Sequence, residues 1–398
     1  SLFSGCGGMD IGFAGNFTCL KKSINTELNN DWIVDDFGDF VKLAPTKFNI
    51  VFANDIRTDA RTAWVNYFSK FDKKIENLYY TESIVELVKN AKNGSLKFPK
   101  NIDIVTGGFP CQDFSVAGKR LGLNSKKSHL GKNLDKDEPS IENRGQLYIW
   151  MKEVIDLVKP KMFIAENVKG LANLADTLKI IQHDFEKNDY LVIAKILNAA
   201  NYGVPQNRER IIFIGFRKSA LKLNAIKALM EKEIPQIYNP YPNQTHSKTD
   251  ENLLPLVTCK EAFINLKEPN LTSDLSQKNY SKARFMGKHC QGQIEIKLDD
   301  IAPTIRSEHH GNIEFRRLSV ENGGKYKIEF KNGCIERRLT IRECARLQTL
   351  PDDYEFIIPN KLSASSSYKI IGNAVPCLLA YNIAKNIEKK WNLYFKRT

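Results

Sequence analysis

Ser1-Leu2-Phe3-Ser4-Gly5-Cys6-Gly7-Gly8-Met9-Asp10 reads as the end of a strand, a glycine-rich turn and the start of a helix. Glycines there let the backbone bend tightly and approach a ligand closely. The next apolar run, residues 48–53, leads into Asn54-Asp55. A carboxylate at that strand end commonly holds ribose hydroxyls in doubly wound sheets, which makes Asp55 a candidate. The spacing is not the G-x-G-x-x-G of a dinucleotide site, so a nicotinamide oxidoreductase is excluded. A nucleoside cofactor without phosphates fits better, and S-adenosylmethionine is the first choice. A purely structural turn is the competing reading. The stretch opens inside a strand, so further residues are expected upstream of Ser1.

Similar apolar runs recur at 102–106, 162–165, 191–197 and 210–215. Continuous apolar runs are what strands buried on both faces show. Helical patterns lie between them, such as Leu147–Val158, stopped by Pro160. The alternation predicts an α/β fold with a mostly parallel, doubly wound sheet. Residues 16–47 are polar and lack a clean period. After Arg217 the texture changes. Residues 235–337 are rich in Pro, Asn, Ser, Thr and Gly, with a β-like piece at 325–330. A helix is expected over 340–348, then a turn at 351–353. Another turn at Gly372-Asn373 is expected to open a last helix from Val375 to about Trp391. The chain divides on this reading into 1–217, a smaller irregular β-containing unit 218–362, and a returning helix 363–398.

The 398 residues carry 59 Lys+Arg against 46 Asp+Glu, a formal charge of +13. That excess favours a polyanionic partner, although a lysine-rich surface can also be incidental. No apolar run nears the roughly 20 residues that cross a bilayer, so no membrane partner is expected. The eight cysteines are widely spaced with no C-x-x-C pair, so no metal is expected and reduced cytosolic thiols are.

Gly107-Gly108-Phe109-Pro110-Cys111-Gln112-Asp113-Phe114-Ser115 sits just past the run 102–106. That is the carboxyl edge of the sheet, where doubly wound folds bind ligands. Cys111 is a candidate reactive thiol there. A buried structural cysteine is the alternative.

Taken together, these motifs resemble the C5-cytosine DNA methyltransferases of bacterial restriction–modification systems. Gly-Phe-Pro-Cys-Gln with Phe-Ser is similar to that family's nucleophile motif, and the opening glycine stretch to its cofactor motif. Ala165-Glu166-Asn167-Val168 resembles its catalytic glutamate motif. Gln206-Asn207-Arg208-Glu209-Arg210 resembles its Q-x-R-x-R motif. Residues 338–348 with Pro351-Asp352-Asp353-Tyr354 resemble the penultimate motif, and Gly372-Asn373-Ala374-Val375-Pro376 the last.

The resemblance implies a Rossmann-like catalytic unit and a sequence-specific DNA cytosine-5 methyltransferase. It implies Cys111 as nucleophile, Glu166 at the base N3, Arg210 near O2, and Arg208 orienting the site or contacting phosphate. S-adenosylmethionine would meet Phe3, Gly5, Cys6, Gly7, Gly8, Asp55, Ile56, Phe109, Pro110, Leu147, Asn373 and Val375, leaving S-adenosylhomocysteine as product. Ile56 stands where the family often has Trp, and Ser83 where an acidic residue often meets the adenine, which leaves Glu82 or Ser83 for that contact. Double-stranded DNA would meet Gln112, Ser115, Lys119, Arg120, Gln206, Thr304 and Arg306. The basic loop 115–144 would close over it, with 122–143 either a decoration or a further DNA contact. Residues 302–312 carry side-chain types that read base edges. A monomer in a bacterial cytoplasm, paired functionally with a restriction endonuclease, completes the expectation. A tRNA cytosine-5 methyltransferase and an inactive DNA-binding regulator are the alternatives.

Overall fold

In the computed structural model, residues 1–109, 147–171, 175–307 and 313–396 are described. Pro110, Cys111, Gln112, Ser115, Lys119, Arg120 and the segment 308–312 lie outside them.

The central sheet uses β4 (Ala53–Asn54), β5 (Tyr79–Tyr80), β6 (Ile104–Gly107), β7 (Met162–Val168), β8 (Tyr190–Asn198) and β9 (Glu209–Arg217). Leu2 pairs in parallel with both Asn54 and Gly107, so the opening residues lie between β4 and β6. The order across the sheet is therefore β5, β4, Leu2, β6, β7, β9, β8. Neighbours are parallel from β5 to β7. β9 runs antiparallel to both β7 and β8. This departs from a purely parallel sheet for a geometric reason. Residues 199–208 are too few for the crossover a parallel β8–β9 pair would need.

Alternation along β7 and β9 explains the apolar runs. Met162, Ile164, Ile212, Ile214 and Phe216 enter one core with α1 (Gly8–Ala14), α2 (Thr58–Phe68) and the C-terminal helix. Phe163, Ala165, Ile211 and Phe213 enter the other with α3 (Ile84–Lys92), α4 (Leu147–Val158) and α5 (Ala175–Glu186).

The polar stretch 16–47 is a small antiparallel sheet of β1 (Thr18–Leu20), β3 (Phe40–Leu43) and β2 (Ile33–Asp36). Strands this short leave too little alternation to read. Trp32 anchors the sheet edge-on against Tyr381, with ring centroids 5.0 Å apart.

Residues 218–338 hold short elements: α6 (Leu223–Leu229), β10 (His246–Ser247), β11 (Leu254–Pro255), α7 (Cys259–Ala262), α8 (Leu275–Lys278), β12 (Phe315–Arg317), α9 (Lys327–Lys331) and β13 (Arg337–Arg338). The β-like reading of 325–330 is corrected, because α9 occupies it. The apparent alternation there does not mark a buried face: Ile328 is 73% exposed. Glu329 instead faces Arg316 and Arg317.

The expected helix over 340–348 is present as α10 (Ile341–Leu347). Thr340 and Glu343 form a reciprocal capping box at its start. The expected turn at Gly372-Asn373 is corrected: both residues end α11 (Ala364–Asn373). The break falls just before Pro376, which caps α12 (Cys377–Tyr394). A residue preceding proline is driven out of the helical region. α1 lies close on α12 because Gly12 faces it and Gly8 abuts Ala374 and Val375 just before it. A Cβ on Gly12 would come 2.4 Å from that of Ala380.

Candidate active site

The glycine turn is shaped from below. Gly5 and Gly7 have φ of 54° and 82°, the left-handed region that other residues resist. A Cβ on Gly7 would strike Trp64 at 2.6 Å, and one on Gly8 would strike the Val375 carbonyl at 2.2 Å. Among the described residues no atom lies within 4 Å of the missing Cβ of Gly5, so they leave its outer side open. Asp55 Oδ2 accepts from the Gly5 amide at 3.0 Å and Oδ1 from the Arg57 amide at 3.0 Å. Desolvation raises the Asp55 carboxyl, against the pull of those amides and of the Arg57 guanidinium. Ile56, beside it, is 44% exposed.

Phe3, also at positive φ, and the buried Cys6 complete the turn. Burial pushes the Cys6 thiol up to about 12, and its sulfur bonds the Ile370 carbonyl at 3.4 Å. It is a packing thiol. Ser83 is buried and caps α3 by accepting from the Val85 amide. Phe109 and Leu147 are both buried in the second core, and the Phe109 ring centroid lies 6.2 Å from that of Tyr148.

Glu166 ends the apolar part of β7, where the carboxyl edge of the sheet turns polar. Its Oε2 would lie 3.2 Å from a Cβ on Gly108, so glycine leaves the room it occupies. Arg210 on β9 is opposite Val168, the diagonal neighbour of Glu166 on the same face. Its Nε lies 2.8 Å from Glu166 Oε1, and both side chains are about nine-tenths buried. Asn167 points the other way and donates to the Phe109 carbonyl at 3.1 Å. The segment entering Pro110-Cys111 is thereby tied to β7.

The Q-x-R-x-R residues divide by role. Gln206 is fully buried: its amide nitrogen donates to the Leu347 carbonyl at 2.9 Å and to Gln348 Oε1 at 3.1 Å. Its carbonyl oxygen accepts from the Ile305 amide at 2.9 Å. The expectation that Gln206 contacts DNA is corrected, because the side chain is committed to protein partners and has no open face. Arg208 is 1% exposed and donates to the carbonyls of Ile305, Gly372 and Ala374. A side chain this buried has no surface at which to meet a phosphate.

Gly372 presses on the Arg306 backbone, where a Cβ would come within 2.2 Å. Asn373 is exposed and Val375 buried. Thr304 donates to the Asn207 carbonyl at 2.6 Å. The half-buried Arg306 lies 3.6 Å from Glu314. The structure thus brings together Glu166, Arg210 and the strand end before Cys111, with the glycine turn two strands away on the same sheet edge.

Residues 1–389 match the family described as C-5 cytosine-specific DNA methylase. The chain belongs to that family. Among the methylase's relatives, the Type II methyltransferase M.BspRI of Lysinibacillus sphaericus is 33% identical over 404 residues, covering 98% of this chain and 81% of that protein. The Type II methyltransferase M.HhaI of Haemophilus parahaemolyticus is 31% identical over 295 residues, covering 73% and 77%. The S. pombe Dnmt2 methyltransferase structure shares the fold, with a TM-score of 0.53 at 17% identity, covering 98% of this chain and 97% of that one.

Three groups of the methylase's site were not singled out from sequence. Tyr79 and Tyr354 hold the glycine turn, Asn167 ties down Phe109, and Gln348 bonds the Ile371 and Ala374 carbonyls. Tyr354 and Gln348 stand in motifs that sequence reading quoted, but nothing local names their partners. Among the described residues no helix is long and apolar enough to cross a membrane.

Proposed function

We propose that this methylase methylates C5 of a cytosine within a specific double-stranded DNA sequence, using S-adenosylmethionine. The observation that carries the reading is the buried Glu166–Arg210 pair beside the strand end that runs into Pro110-Cys111.

C5 of cytosine is a poor nucleophile until something adds at C6. The Cys111 thiolate forms a bond to C6, and the displaced electron pair moves through the ring toward N3 and O2. Glu166 hydrogen-bonds N3 and the Arg210 guanidinium stabilises charge at O2. C5, now enamine-like, takes the methyl. A base then removes the C5 proton and the S–C6 bond breaks, returning the thiolate. The target must be flipped out of the duplex, at a cost of a few kcal/mol.

The residues present fit the cofactor. The turn is open at Gly5, Asp55 offers its carboxylate at the adjoining strand end, and the exposed Ile56 gives the adenine an apolar surface. Phe3, Gly5, Asp55, Ile56, Phe109 and Val375 would hold it. When bound, S-adenosylmethionine supplies an electrophilic methyl group.

Residues 218–362 are read as the DNA-recognition unit, with Thr304 and Arg306 at base edges. A basic strap at 281–288 supports this. Lys282, Arg284, Met286 and Lys288 are exposed, and among the described residues none of the three cations has a carboxylate within 4 Å. We read the enzyme as a monomer of the bacterial cytoplasm that protects host DNA from a cognate endonuclease. Bisulfite sequencing of host DNA after expression tests the function. Methylated cytosines in one sequence context are expected. Their loss with Cys111→Ala identifies the nucleophile, whereas unmodified DNA with active-folded wild type refutes the reading.

A further inference from the structure

Two phenols lie beneath the glycine turn. Tyr79 donates to the Gly5 carbonyl at 2.9 Å, and Tyr354 donates to the next carbonyl, that of Cys6, at 2.8 Å. They come from separate places, 74 and 348 residues from their acceptors. Both rings are buried, and burial raises both phenols so that they remain donors. Each ring is itself fixed. Tyr79 packs edge-on against Trp64 at 5.2 Å. Tyr354 is the middle of a three-ring stack, with Tyr67 at 4.7 Å and Phe356 at 4.3 Å.

A glycine-rich turn has many accessible conformations, and freezing them costs entropy. Fixing a carbonyl also fixes the amide at the other end of the same planar peptide unit. Two successive peptide planes are set in this way, while Asp55 sets the amide of Gly5. The open side of Gly5 faces none of these anchors. We infer that Tyr79 and Tyr354 are positioning residues that hold the glycine turn in its cofactor-binding shape before the cofactor arrives. Tyr354 does so from the segment after α10, so the penultimate motif contributes to cofactor affinity without touching the cofactor. This inference rests on the proposed use of S-adenosylmethionine.

The test is calorimetric titration of S-adenosylhomocysteine into the full chain and into Tyr79→Phe, Tyr354→Phe and Tyr368→Phe. Tyr368 is an equally buried phenol that donates to the Leu339 carbonyl and accepts from the Ser281 amide, away from the turn. Loss of one neutral hydrogen bond should raise Kd about 3- to 10-fold in each of the first two variants. The methyl-donor KM should rise with it, while kcat at saturating donor and Kd for DNA hold. Tyr368→Phe should lower Tm and leave Kd unchanged. If Tyr354→Phe does not fold, Tyr79→Phe decides, since it acts on the adjacent carbonyl. Folded variants with wild-type Kd overturn the inference alone. A wild type that takes up no S-adenosylhomocysteine overturns the functional reading and the inference together.

Discussion

Arg210 Nε lies 2.8 Å from Glu166 Oε1, yet among the described residues that oxygen accepts no hydrogen bond. The charges are close but the N–H is not aligned with the acceptor. A buried carboxylate in that condition carries a desolvation cost that a correctly placed donor can relieve. Around a flipped cytosine, the N4 amino group would be such a donor, while O2 would accept from Arg210.

Glu166→Gln keeps the volume and removes the acid. Methyl transfer should fall roughly 10²- to 10⁴-fold, the range for one general acid–base group. Binding of S-adenosylhomocysteine should be unchanged. Single-turnover methylation of a cognate duplex measures it, and a near-wild-type rate would remove Glu166 from the mechanism.

Gln206→Ala should act on stability and not on sequence choice. The substitution strands the Ile305 amide, the Leu347 carbonyl and Gln348 Oε1 in a dry interior. Each buried orphan costs about 1–3 kcal/mol. Chemical denaturation should show that loss, while bisulfite sequencing returns the same methylated context. A new context at unchanged stability would restore Gln206 to the DNA face.

The sheet was readable because β7 and β9 are apolar on both faces, which a linear sequence displays directly. The positions of Glu166 and Arg210 at the sheet's carboxyl edge were readable because each follows or opens such a run. Gln206 was misplaced because a motif gives the residue type and not its partner. Here the partner is a neighbouring backbone and not a base. The turn direction at β9 was hidden as well, since antiparallel and parallel strands have the same composition when both faces are buried. Tyr79 and Tyr354 were invisible for another reason: their acceptors are far away in the chain, and a lone tyrosine carries no local sign of what it holds.

Acid should act strongly on the ion network around Glu268. Desolvation raises this carboxyl, but hydrogen bonds and charge from Arg337 and then Arg317 outweigh it and lower it to about 2. A lowered value means the stabilisation is full above the unfolded pKa of about 4.5, and is lost as pH falls from there through about 2. The stability difference between wild type and Glu268→Gln should therefore be largest near neutral pH and shrink over that window. Urea midpoints at a series of pH values measure it. A difference that stays flat down to pH 2.5 would mean Glu268 is not held by the two arginines.

The strap 281–288 should contribute charge and not sequence preference. Arg338 fixes it from behind, donating to the carbonyls of Ala283 and Arg284 and also to Gly292, Ile313 and Gln293. All five guanidinium donors are thus engaged. The Met286 amide adds a bond to Gln293 at 2.9 Å. A strap held this way presents Lys282, Arg284 and Lys288 without further ordering. Each phosphate neutralised by such a cation steepens the fall of log K with log salt by about 0.9 on duplex DNA. Replacing all three with Ala should therefore flatten the slope by as much as ~2.7 and weaken cognate and non-cognate duplexes alike. Kd measured across a salt series for both duplexes decides it. An unchanged slope would place the strap off the DNA, and a loss confined to the cognate duplex would make it a base reader.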